Sequence, residues 1–299
     1  MIRKIFIKLG QIDRRYIFLL IALSVLLPLL HQPEWLKIDY NVSPNTQTVF
    51  DELNDLKEGD KILISFEYGA STMPEIHPMS VALLQHMFSK GVKVYIIALW
   101  PEGVIMATDA LNKIHSSGLF NVKENEDYIN LGYKAGGPVV IKGIATDIRS
   151  LYKQDVNLNF INDIEMMKGI NSISDFDFVF DLSAGFPGNA EWVQYACDEY
   201  KIPLSSGCTS IMVTDAIPYI ESGQLIGILA GMPGAAEYEG LVSDSLRKWK
   251  NNNKYINSDI KIPIGVASSR MPAQSVSHLV MVLLVILGNI SYYLSRKNN

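Results

Sequence analysis

Two uncharged apolar runs, one close to each end, restrict this chain more than any other feature, because each asks for a low-dielectric surrounding that a single small core does not supply. The first, Tyr16 to Leu30, reads YIFLLIALSVLLPLL. At about 1.5 Å of rise per residue it falls short of a hydrocarbon layer of about 30 Å. Its flanks make up the difference: Arg14 and Arg15 can snorkel at one end, and Trp35, beyond Pro28 and Pro33, can sit in the opposite headgroup layer. The predicted span is 16–35. A cleaved signal peptide is the alternative, but LLHQPEW offers no small-x-small cleavage site and no cysteine for a lipid anchor follows. An uncleaved signal anchor is therefore expected.

The second run, Val276 to Leu294 (VSHLVMVLLVILGNISYYL), also carries no formal charge and ends in Tyr292, Tyr293, Arg296 and Lys297. An aromatic belt followed by bases marks a cytoplasmic exit. Arg3, Lys4, Lys8, Arg14 and Arg15 make the other tail basic too. Tails 1–15 and 295–299 are thus expected in the cytoplasm, with the stretch between the spans translocated, into the periplasm if the cell is Gram-negative. Asn289 can hydrogen-bond to another helix, or to water if it lies at the interface. Setting the terminal charges aside leaves 19 bases against 30 acids, a net of −11. Such a surface repels phosphate backbones, so nucleic acid is not an expected partner.

Between the spans, short β-branched and aromatic runs alternate with helical stretches. Strands are predicted at Lys61–Glu67 (KILISFE), Val92–Leu99, Asp127–Tyr133, Phe176–Leu182, Ile202–Ser206 and Gln224–Ala230. Helices are predicted near 74–90, after Pro101, over 137–152, 189–200 and 211–222, and over 235–249. Six strands in this order resemble a Rossmann-like fold: α/β, doubly wound, with a mainly parallel six-stranded sheet over residues 46–250. The resemblance is to a superfold and implies no single activity. Residues 31–45 and 251–275, rich in Asn, Pro and Ser, read as linkers, the second leading into a span at 276–294.

In open parallel sheets ligands lie beyond the carboxyl ends of the strands. The predicted loops there bring Glu67, Glu102, Lys134, Asp181, Ser183 and Thr209 to one candidate crevice. Gly136, Gly137, Gly185, Gly188, Gly231 and Gly234 stand near helix starts, where backbone amides can face an anion; tight turns are the competing explanation. None of them forms G-x-G-x-x-G after the first strand, and G-x-x-x-x-G-K-[ST] is missing, so no nucleotide cofactor is expected. The acids could serve as an acid and base pair if their surroundings split their pKa values; helix capping is the plainer role. Ser183 and Ser206 lack the G-x-S-x-G elbow, and His31, His77, His86, His115 and His278 lack H-E-x-x-H spacing. No catalytic residue and no metal ligand is assigned.

Cys197 and Cys208 are too few for a disulfide framework; two buried thiols are expected, with a bridge as the alternative in an oxidising compartment. Glu237 and Glu239 read as acids of an early helical turn that favour the dipole. Ser268, Ser269 and Arg270 stand before the second span, Arg270 as an interfacial base. The expected function is a non-catalytic subunit or scaffold of a membrane assembly, with the bilayer and other membrane-protein subunits, or its own copies, as partners. A membrane-tethered enzyme or small-ligand receptor using the crevice is the alternative.

Overall fold

A computed structural model describes residues 12–31 and 41–296. Trp35, Arg3, Lys4, Lys8 and Lys297, all used in the topology argument, lie outside the described residues. The chain divides into two compact units, Asn41–Ser268 and the pair of end segments Met1–Tyr40 with Ser269–Asn299.

The end segments are helical where described. Helix α1 spans Arg14–Leu30, 17 residues, with Asp13 accepting from the Arg15 amide at its start. The C-terminal helix spans Val266–Arg296, and it alone among the described residues is long and apolar enough to cross a membrane, with a mean hydropathy of 1.8 over an 18-residue stretch. It starts at Val266, inside the predicted 251–275 linker, where Glu239 accepts from the Ser268 amide at 2.9 Å.

The Asn41–Ser268 unit is a six-stranded, all-parallel sheet in the order β3-β2-β1-β4-β5-β6 with helices between the strands, a Rossmann-like arrangement. Helix α2 (Pro44–Asp55) leads into β1 (Lys61–Glu67), followed by α3 (Met73–Lys90) and β2 (Lys93–Ala98). Then come α4 (Pro101–Ser117), β3 (Tyr128–Tyr133) and α5 (Pro138–Leu151). After three 3-10 turns the chain enters β4 (Phe178–Ser183), α6 (Asn189–Trp192), a π turn over Val193–Cys197 and α7 (Asp198–Tyr200). β5 (Leu204–Cys208), α8 (Val213–Glu221), the three-residue β6 (Ile228–Ala230) and α9 (Gly231–Trp249) complete the unit, and α10 is the Val266–Arg296 helix.

Each strand is buried on both faces, the condition of a parallel sheet clad in helices. Alternation along the strands sorts the side chains. Ile62, Ile64 and Phe66 of β1 lie opposite in direction to Leu63, Ser65 and Glu67. The latter face the α5–α7 side, with Tyr95, Ile97, Val179, Trp192 and Cys208 in one apolar cluster. On the other side α3 packs against α9 and α4, and its end is set by Gly91, whose φ of +70° lets the amide fold back onto Met87 and Phe88 carbonyls. Helix α2 overlaps the predicted linker only at Pro44 and Asn45 and precedes the first predicted element; Ser43 caps it and Val49, Phe50 and Leu53 bury one face. The sixth strand is shorter than predicted because Leu225 and Ile226 bond to Tyr219 and Leu204 carbonyls before the ladder to β5 begins at Ile228.

Candidate functional site

The strand order reverses between β1 and β4, the topological switch point at which open α/β sheets open a crevice. Register places specific residues there. Ser65 of β1, Asp181 of β4 and Ser206 of β5 form one row across three strands, and Glu67, Ser183 and Cys208 form the next. Since i and i+2 share a face, all six side chains point to the α5–α7 side. None is exposed.

The result is a sealed polar cluster. Ser183 Oγ and Ser206 Oγ donate to Asp181 Oδ2 at 2.7 and 2.9 Å. Ser65 Oγ donates to Glu67 Oε1, and the Trp192 indole N–H reaches the same oxygen at 3.4 Å. Glu67 Oε2 and Asp181 Oδ1 are buried without a hydroxyl or amide donor, and the two carboxyl groups influence each other's titration. A proton shared between them satisfies both oxygens. Burial first, then the Asp181 charge and the bond to it, push the Glu67 carboxyl well above its ordinary range, so Glu67 holds that proton. Burial also raises Asp181, while the bonds from Glu67, Ser183 and Ser206 oppose the shift.

Trp192, Cys197 and Tyr152, all buried, line this α5–α7 side; burial, with the Glu67 charge second, raises the Tyr152 phenol. The Lys134 ammonium, half-buried at the carboxyl edge, sits 5.5 Å from the Tyr152 ring centre. Of the predicted crevice residues, Glu67, Asp181 and Ser183 therefore meet, with Lys134 reaching their surroundings through Tyr152. Thr209 is buried at the end of β5. Glu102 is exposed and accepts from the Ala70 amide at 3.2 Å instead. The acids lie beneath helices, not at a crevice mouth, because the strand alternation aims them sideways into the α5–α7 layer.

The glycine positions divide similarly. Gly188 donates to the Glu191 carboxylate at 2.8 Å, and Gly231 lies against Ser210 and the Glu75 carboxylate, so two helix starts already carry an acid of the chain itself. Gly234 abuts the Leu229 backbone and Gly185 the Trp100 ring, both as close packing. Gly136 and Gly137 adopt φ of +137° and +53°, a turn that other residues rarely make, and α5 begins there without a side-chain cap.

Sequence reasoning missed three arrangements. Ser65, Ser206 and Trp192 complete the carboxyl cluster; the S-x-E of β1 and D-x-S of β4, each two apart on a strand, carried the signal. On the opposite face Tyr68 OH meets His77 Nδ1 at 2.9 Å, His77 Nε2 meets Asp109 at 2.9 Å, and Lys113 meets the same carboxylate at 2.7 Å. This is a hydroxyl–imidazole–carboxylate relay in outline, yet its hydroxyl is fully buried, which withholds it from a substrate. Nearby, His86 Nδ1 bonds Tyr238 OH at 2.8 Å and the ring stacks on Phe50 at 4.9 Å. Burial drives both imidazoles down, His77 to about 4 and His86 to about 3.

The third arrangement corrects the reading of Glu237 and Glu239. Helix α9 begins at Gly231, so neither acid belongs to its first turn. Instead each fastens one end of the unit. Glu237 Oε2 accepts from the Ser43 amide at 3.0 Å and its hydroxyl at 2.7 Å. Glu239 Oε2 accepts from the Ser268 amide at 2.9 Å, with the Ser268 hydroxyl at 3.1 Å. Burial raises the Glu239 carboxyl against these bonds.

Cys197 and Cys208 are free, buried thiols. No group of three or more metal-ligating side chains occurs among the described residues. Compared with protein-family models, with curated proteins and with solved structures, the chain matches none.

Proposed function

We propose that the protein is a two-pass membrane protein, with both termini cytoplasmic and α1 as an uncleaved signal anchor, whose extracytoplasmic Rossmann-like domain serves as a non-catalytic subunit or scaffold of a larger membrane assembly. The paired serine–glutamate clasps on α9 carry this reading. Ser43 and Ser268 are held by carboxylates only two residues apart on one helix, so both chain ends leave the domain from a single rigid support. Two exits held on one helix suit a domain tethered twice to one membrane, and double tethering favours lateral association. The uncharged run Tyr16 to Leu30 that follows Arg14 and Arg15 within α1, together with Trp35 in the sequence beyond it, supports the first span; the C-terminal helix supports the second. Crosslinking in native membranes, followed by sizing in mild detergent, tests it. A defined oligomer or a co-purifying membrane subunit is expected, and a monomer that captures nothing would sink the idea.

A second reading, a tethered enzyme or small-ligand receptor, draws support from the proton shared at the switch point, since split carboxyl pKa values mark many active sites. The burial of both acids weighs on the side of structure. Separate Glu67→Gln, Asp181→Asn and Lys134→Ala variants that fold, yet lose a cellular phenotype while keeping the assembly intact, would favour this second reading.

A further inference from the structure

At the amino edge of the sheet, away from the switch-point crevice, the segments before β1 and β2 meet the end of α9 and the loop that follows it. Together they surround a cavity of about 670 Å³, within the range of small-molecule sites. Its wall gathers Lys57, Lys90, Lys248 and Lys254 against one acid, Glu58. The wall is braced. Asn253 Nδ2 donates to the Ser89 carbonyl at 2.7 Å, and Asn253 Oδ1 accepts from the Tyr255 amide at 2.8 Å. The Tyr255 ring packs so closely on Gly91 that a Cβ there would fall 2.4 Å from it. Lys254 Nζ meets the Glu58 carboxylate at 2.8 Å, which ties the loop to the segment before β1. A cavity fixed in this way needs little ordering to receive a ligand.

Charge on this wall is not balanced. Glu58 is matched by Lys254, and Lys57, Lys90 and Lys248 make no ion pair among the described residues. The carboxyl ends of α3 and α9 bring about half a negative charge each, so about two positive charges stay uncompensated on the wall. Asp55 and Asp60 act on Lys90 from outside the wall, beyond ion-pair distance. Lys90 shows the consequence. Its half-buried ammonium lies over the Trp249 ring, 5.7 Å from the centre, and burial pushes its pKa below the ordinary lysine value. A partly desolvated cation held by a ring face gains more from an anion than a fully hydrated one does. No arginine stands on the wall, so it offers point charges in place of the planar fork that matches a carboxylate. Point charges around one space suit a compact, multiply charged head.

We propose that this cavity binds a phosphate monoester, with Lys57, Lys90 and Lys248 around the phosphate and the rest of the molecule filling the space beside Leu56 and Asn252. A free ester and a lipid headgroup both carry that group. The proposal stands apart from the membrane-anchored reading and from the switch-point crevice, since every residue it uses belongs to the amino edge of the Asn41–Ser268 unit.

Calorimetric titration of the full chain in detergent micelles with glycerol 3-phosphate tests it, at about pH 8 where the monoester is a dianion. Saturable binding at one site per chain is expected, with a change in tryptophan emission that Trp249→Phe abolishes. Lys90→Met and Lys248→Met should each weaken binding about tenfold, the worth of one charge-assisted hydrogen bond. Lys142→Met, on α5 across the sheet, should leave it unchanged. Lys57 and Lys248 are exposed, so Lys57→Met and Lys248→Met keep the test decisive if Lys90→Met fails to fold. Absence of saturable binding, or binding that Lys57→Met and Lys248→Met weaken no more than Lys142→Met does, overturns the proposal. Mixed micelles separate the sources. Loss of glycerol 3-phosphate binding with phosphatidic acid but not with phosphatidylglycerol supports the site as one for a lipid headgroup, and binding kept in both supports a free ester. Loss in both would mean that any anionic lipid fills the cavity, which overturns the monoester assignment.

Discussion

The two faces of the sheet bury ionisable groups in opposite ways. On the α5–α7 face, Glu67 and Asp181 share a proton and are wrapped by Ser65, Ser183, Ser206 and Trp192. On the α3–α9 face, His77 and His86 are buried as neutral imidazoles against Tyr68 and Tyr238. Both faces solve the same problem, since a buried ion without a partner is costly and the group neutralises instead. The signs differ. The acid face holds an extra proton relative to the unfolded chain, and the histidine face lacks one, so the two faces draw stability from opposite ends of the pH scale.

Removing a partner from the acid face is the harshest way to break this comparison. Asp181→Ala takes away the acceptor of two hydroxyls and of the Glu67 proton at once. Each donor left without an acceptor costs about 1–3 kcal/mol, read as a lower chemical-denaturation midpoint by tryptophan fluorescence of the solubilised chain. On the other face, His86→Phe keeps the ring stack on Phe50 but strands the Tyr238 hydroxyl, for about 1–2 kcal/mol. If His86→Phe proved the costlier of the two, the acid pair would not be the more demanding site.

The pH dependence sharpens the contrast. Glu67 has a folded pKa above its ordinary 4.5, so its contribution is fully present below that value and is lost as pH rises through the folded value. Glu67→Gln keeps a donor toward Asp181 and should remove this alkaline decline, its stability relative to the parent chain growing as pH rises from about 4.5. The histidines behave in the opposite sense. Their folded values near 4 and 3 lie below the ordinary 6.5, so stability falls as pH drops from 6.5 through those values, and His86→Phe should flatten the lower part of that fall. Denaturation midpoints across pH 3–9 for the two variants give both slopes. Parallel profiles would mean that neither face titrates as described.

How much of this was legible in sequence follows from what each signal measures. Strands β1 and β2 could be placed closely because each is a compact β-branched run, and helix α3 because it stops at Gly91, which takes a left-handed conformation. The shifts elsewhere came from hydrogen bonds to distant partners. Asp177 looked like strand, but its carboxylate accepts from the Lys61 amide, so the β4 ladder starts at Phe178. Glu67, Asp181 and Ser183 were named from their strand-end positions alone. Their burial was not legible, since it depends on which face α5–α7 cover. Glu237 and Glu239 were misread for a related reason: the AAEYE run shows two acids on a helix, but their partners lie 194 and 29 residues away.

The smallest expected effect concerns the rim of the histidine face and discriminates best between causes. His77 is lowered first by burial and next by the Lys113 ammonium, while Asp109 pulls the other way. Lys113→Met removes one cation from an ion pair whose partners are both partly exposed, so the cost near neutrality should be only about 0.3–0.5 kcal/mol. Its effect on titration is more telling. Without the ammonium, Asp109 remains the one charge beside His77, so the folded pKa of the imidazole should climb from about 4 toward 6.5 and the acid-side loss of stability should shrink. Histidine ring signals followed by NMR across pH 3–8 read the shift directly. A His77 value that stays put after Lys113→Met would assign the whole depression to burial, and the two faces would then differ only in which form of the group burial rejects.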